Sequence, residues 1–155
     1  MKKVLLIVIG LILVISIVTT LVLLNRTKVV TCNNTLSING YKLETYYTIN
    51  YKKDIVKTIR VEEYITSDDD KVLNDYEDQF NKQYEYNNKV YGGYEYKVTK
   101  KNKKVETNVL IDYDKLDMDK FIKNNEVMKD YTDNNKLTID GAIKLYEDSG
   151  AICKK

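Results

Sequence analysis

From Tyr41 the chain alternates. Tyr41, Leu43, Thr45, Tyr47, Ile49 and Tyr51 fall on one parity, and Lys42, Glu44, Thr48 and Asn50 fall on the other. A period of two is that of a strand with one buried face. After the polar break Lys52-Lys53-Asp54 a second β-rich stretch puts Ile55, Ile59, Val61 and Ile65 on one parity, so the two segments are expected to pair as a hairpin. The period then changes. Ser67 and the carboxylates Asp68, Asp69 and Asp70 mark a helix start, where a capping hydroxyl and negative charge meet the positive end of the helix dipole. Val72, Leu73, Tyr76, Phe80 and Tyr84 follow at helical spacing, which predicts a helix to about Asn88.

Gly92-Gly93 resets the pattern. Tyr94, Tyr96 and Val98 alternate with Glu95, Lys97 and Thr99, and Val105, Thr107, Val109, Ile111 and Tyr113 return on one face, giving a second hairpin with its tip at Lys101 to Lys103. Leu116, Met118, Phe121 and Ile122 predict a short helix or turn. Thr138 is placed to cap a last helix with the stripe Ile139, Ala142, Ile143 and Tyr146, ended by Gly150. The expected fold is therefore α+β: an antiparallel sheet from two hairpins with helices on one face, in an order that suggests a duplicated ββα unit.

Residues 4–24 behave differently, because these 21 positions contain no charge. As a helix they would span roughly 31 Å, close to the hydrocarbon thickness of a bilayer. The run is longer than the apolar part of most cleaved signals, so a single-pass transmembrane signal anchor is expected, with cleavage and secretion of the same domain as the second reading. Lys2 and Lys3 place the N-terminus inside and the C-terminal domain outside the cell membrane. The resulting division is a cytoplasmic stub at 1–3, the anchor at 4–24, a polar tether at 25–39 and an extracytoplasmic domain at 40–155.

Charge and composition narrow the function. Setting aside Lys2 and Lys3 leaves 23 basic residues against 23 acidic ones, and the two signs are interspersed, which argues against a nucleic-acid partner. The absence of histidine removes His-based triads and His-ligated metals. No Ser-x-x-Lys string supplies a replacement in the outer segment, and no cofactor motif is present, so a non-catalytic module is expected, with a carboxylate-dependent envelope hydrolase as the alternative. The two cysteines, Cys32 and Cys153, suit a structural disulfide in an oxidising compartment. Asp112, Asp114, Asp117 and Asp119 are the densest carboxylates. Their spacing does not fit an EF-hand loop, and they read better as turn and helix-start residues than as metal ligands. Tyr84, Tyr86, Tyr91, Tyr94 and Tyr96 surround the Gly-Gly pair and form the candidate binding surface, suited to stacking on a cell-wall glycan or an envelope protein.

The strand from Tyr41 to Tyr51 leading into Ile55-Val56-Lys57, the block Val109 to Asp117 and the ending Ile143 to Gly150 resemble the YehR-like family of small bacterial lipoproteins, a domain of unknown function. These stretches extend over most of residues 40–155. The resemblance implies an α+β extracytoplasmic domain and no particular reaction. One feature departs from it. The family's lipidated cysteine directly follows the signal's apolar region, whereas Cys32 lies eight positions beyond Leu24 and follows Val29-Val30-Thr31. Lipid attachment is therefore not carried over, and the transmembrane helix is expected to take its place.

Overall fold

The computed structural model describes residues 26–38 and 40–154. The expected stub and transmembrane anchor lie outside them, and among the described residues no helix is long and apolar enough to cross a membrane.

Six strands form one antiparallel sheet: β1 (Lys28–Ile38), β2 (Tyr41–Lys52), β3 (Ile55–Thr66), β4 (Tyr94–Lys101), β5 (Lys104–Asp112) and β8 (Ile152–Lys154), in the order β4-β5-β3-β2-β1-β8. A small separate hairpin joins β6 (Thr132–Asp133) to β7 (Lys136–Leu137). The helices are α1 (Asp70–Tyr91), α2 (Met118–Asn124) and α3 (Ile139–Asp148), with a 3-10 helix at Glu126–Tyr131. Both expected hairpins are present, as β2-β3 and β4-β5. The helix after the first has 22 residues and the helix after the second has 7, so the hairpin-helix order recurs without a repeat of size.

Strand parity builds the core. Ile49, Ile59, Ile111 and Tyr94 stand in one cross-strand row, and Tyr47, Val61, Val109 and Tyr96 in the next. Burial of each large apolar side chain in these rows contributes about 1.5–3 kcal/mol against exposure. Above them α1 packs on β3, β4 and β5 through Leu73, Phe80, Tyr84 and Tyr91. Ring contacts run from Tyr41 to Tyr76, Phe80, Tyr84 and Tyr96, with centroids 5.2 to 6.1 Å apart. On the opposite face Lys42, Tyr46, Arg60 and Lys97 are exposed.

Three boundaries differ from the sequence reading, each for a local reason. The segment expected to be a tether is β1, whose 11 residues pair with β2 along their whole length. Only Val30 and Cys32 of that strand are buried, so backbone pairing rather than an apolar pattern holds it. The cap of α1 is Asp69, whose carboxylate accepts from the Lys71 amide at 2.8 Å, while Ser67 donates to the Gly40 carbonyl at 2.5 Å and accepts from the Asp69 amide. In β3 the register slips by one residue at Lys57, since Asn50 faces Thr58 and Tyr51 faces Val56. This bulge puts Val56 rather than Ile55 on the buried face.

Candidate functional site

The bulge also borders a concavity at one end of the sheet. Two turns meet at one end of the sheet: Lys53-Asp54, between β2 and β3, and Asn134-Asn135, between β6 and β7. All four residues have positive φ (48°, 62°, 48° and 57°), as two-residue hairpin loops of the I′ kind require. The Ile139 amide donates to the Asp54 carbonyl at 2.9 Å, and Ile55 forms a bridge with Thr138, which docks the small hairpin beside the large one. The Tyr113 amide donates to the carbonyl of the bulged Lys57, also at 2.9 Å, closing a third side.

The cleft between them has a volume of about 600 Å³. Buried Val56 and Leu137 form its floor, with Met118 and Tyr113 beside them, and Lys52, Lys53, Lys57, Lys136, Asp114 and Asn135 stand around it. Four ammonium groups thus face one carboxylate. That carboxylate is engaged, because Lys57 Nζ lies 2.7 Å from Asp114 Oδ1. Lys52, Lys53 and Lys136 make no ion pair among the described residues. Asp54 and Asp133 belong to the adjoining turns but do not line the cleft, and Asp119 Oδ1 accepts from Asn135 Nδ2 at 2.8 Å. Burial pushes the Tyr113 phenol above its ordinary value, and Tyr94 adds to the effect, so it stays protonated as a donor. An apolar floor under a lysine rim suits an anion that also carries some apolar surface.

The five tyrosines expected to form a binding surface do not form one. Tyr84, Tyr91 and Tyr94 are buried, Tyr96 is partly buried, and only Tyr86 is well exposed, at 57%. The Gly-Gly pair explains the difference. Gly92 and Gly93 have φ of 69° and 74°, and a Cβ on Gly93 would stand 2.7 Å from the Asp112 carbonyl. Rather than a flexible hinge the pair is a tight packed turn that lays β4 under α1, and the rings on both sides are drawn into the core. Tyr91 meets Phe121 edge-on at 5.1 Å and accepts from Asn124 Nδ2.

The four aspartates each have a local duty. Asp112 pairs with Lys115 at 3.1 Å and accepts from the Asp114 amide, Asp114 pairs with Lys57, and Asp117 caps α2 by accepting from the Lys120 amide at 3.0 Å. The neighbouring Lys115 holds the Asp112 carboxyl below the usual range. Cys32 and Cys153 face each other across β1 and β8 and form a disulfide.

Sequence reasoning passed over two things. The first is the lysine cleft, assembled from segments some eighty positions apart. The second is Glu63, which stands on the inward parity between Val61 and Ile65 and in register with Thr45 and Thr107. The Tyr84 hydroxyl donates to Glu63 Oε2 at 2.7 Å, while Thr107 Oγ1 is buried and unpartnered. A carboxylate interrupting an apolar parity was the available signal.

Burial raises the Glu63 pKa, with the Tyr84 bond opposing it. A carboxyl whose folded pKa exceeds its unfolded one contributes most below the unfolded value, and that contribution is lost as pH rises through the folded value. Glu63→Gln is therefore expected to gain stability relative to the parent chain as pH rises above the ordinary carboxylate range, read by urea denaturation at several pH values. Parallel curves would contradict this assignment. Glu63→Leu leaves the buried Tyr84 hydroxyl without its acceptor and is expected to cost about 1–3 kcal/mol.

No family model matches the chain, and no curated protein does. Solved structures are similar to it. The NMR structure of the E. coli YehR protein aligns over 83% of this chain and 92% of its own, with a TM-score of 0.55 and 18% identity. The NMR structure of a protein from Streptococcus pneumoniae TIGR4 aligns over 84% and 86%, with a TM-score of 0.50 and 16% identity. At these identities the likeness is one of fold: the chain is similar to YehR in its α+β architecture.

Proposed function

We propose that this chain is a membrane-anchored extracytoplasmic module of the bacterial cell envelope, acting by non-covalent binding or as a structural part rather than by catalysis. The Cys32–Cys153 disulfide carries the reading, because it ties the first strand to the last and such bonds persist in oxidising compartments. The uncharged run at 4–24 supplies the anchor and Lys2-Lys3 its orientation, N-terminus inside. The partner is an envelope component, a protein or a cell-wall glycan. Intact mass measurement of the chain recovered from membranes tests the anchor: the reading expects residues 4–24 to be retained, and a mature N-terminus beyond Leu24 would instead make it a secreted domain.

A further inference from the structure

The lysine cleft and the entry of the chain lie at the same end of the sheet. Lys28, the first residue of β1, is in register with Tyr51, and the next residue of β2 is Lys52 on the rim. Between Leu24 and Lys28 there are four residue steps, which span at most about 14 Å. A chain anchored through 4–24 therefore holds this end of the domain close to the bilayer surface. Arg26 and Lys28 add two further cations there.

Cations stand at both ends of the sheet. At the opposite end Lys100 pairs with Asp70, Lys103 with Asp68 and Lys42 with Glu44, Lys104 lies over the Tyr64 ring, and Lys101 makes no ion pair among the described residues. At the entry end, Lys52, Lys53 and Lys136 have no carboxylate partner among the described residues, in a domain whose overall charge is balanced. Unpaired ammonium groups around the cleft match the phosphate of a phospholipid headgroup, whose polar end would enter while the acyl chains stay in the bilayer.

We propose that the cleft docks on anionic phospholipid headgroups of the membrane that holds the chain, fixing the domain against the bilayer with Lys52, Lys53 and Lys136 as the phosphate contacts. The inference rests on the anchored reading above. Each lysine near an anionic surface is expected to strengthen docking about fivefold, and the effect should fade as salt rises.

The test uses the full chain reconstituted with phosphatidylcholine vesicles, with and without phosphatidylglycerol. Flotation with neutral vesicles reads the anchor alone. Amide hydrogen exchange at the Lys53-Asp54 and Asn134-Asn135 turns reads docking. The expected result is slower exchange at both turns only when phosphatidylglycerol is present, abolished by Lys52→Glu with Lys136→Glu and unchanged by Lys101→Glu at the far end. Flotation without phosphatidylglycerol-dependent protection would overturn the docking and leave the anchor standing. Failure to float would overturn the anchor, and docking would then be judged by the same exchange measurement on the chain mixed with phosphatidylglycerol vesicles. Equal protection by inorganic phosphate without vesicles would assign the cleft to a free anion and overturn the lipid assignment.

Discussion

Replacing Cys32 and Cys153 together by serine is expected to lower stability by about 3–5 kcal/mol, more than most single changes in the domain. The two residues are 121 positions apart, so the bond restricts nearly the whole described chain when it unfolds. Little else secures the last strand. β8 has three residues, exposed or partly so, and its remaining ties are the three-residue register with β1, the Ala151 amide on the Tyr146 carbonyl and Asn34 on the Ser149 carbonyl. Loss of the bond should free Ile152–Lys154 first and leave the Thr31–Asn33 edge of β1 unpaired. The measurement is urea denaturation of both forms, with amide exchange at β8. An unchanged midpoint would show that the strand pairing suffices without the bond.

Gly141→Ala is expected to cost about 3 kcal/mol, at the upper end of the usual penalty for overpacking. A Cβ at this position would overlap the Tyr131 carbonyl, which is backbone and cannot swing aside. The close approach exists because Thr138 caps α3 by accepting from the Gly141 amide at 3.0 Å, while the 3-10 helix ends at Tyr131 directly alongside. Separating the two should loosen the 132–137 hairpin and with it Leu137, part of the cleft floor. Gly150→Ala makes the comparison: its φ of 89° costs strain, but its nearest neighbour is the Asn34 side chain at 3.7 Å, so about 1 kcal/mol is expected. Equal losses for both glycines would contradict the packing explanation.

The elements that alternate strongly were legible. β2, α1, the β4-β5 hairpin and the Thr138-capped α3 fall where their apolar positions place them, because each buries one continuous face. β1 was not legible, since Thr31, Asn33, Thr35 and Ser37 are what a polar tether would contain, and the strand is specified by its partner β2. The bulge at Lys57 was hidden for a related reason: Ile55 and Val56 are both apolar, and only the geometry of the Lys53-Asp54 turn decides which faces inward. The candidate site followed the same division. The cysteine pair could be read because it needs only two residues and a compartment. The tyrosines misled because a ring near Gly-Gly is equally suited to a surface and to a tight core, and the positive φ of Gly92 and Gly93 selects the core. The lysine cleft depends on two turns docking across the Ile139-to-Asp54 hydrogen bond, a tertiary contact without a local sequence signature.

Sidedness and anchoring in intact cells test the central claim most directly. With the full chain expressed in a Gram-positive host, externally added protease should degrade the domain once the wall is removed, while the untreated chain stays in the membrane pellet through carbonate extraction. Release of the intact chain by carbonate, or protection of its domain from external protease until the membrane is opened, would contradict an anchored extracytoplasmic module.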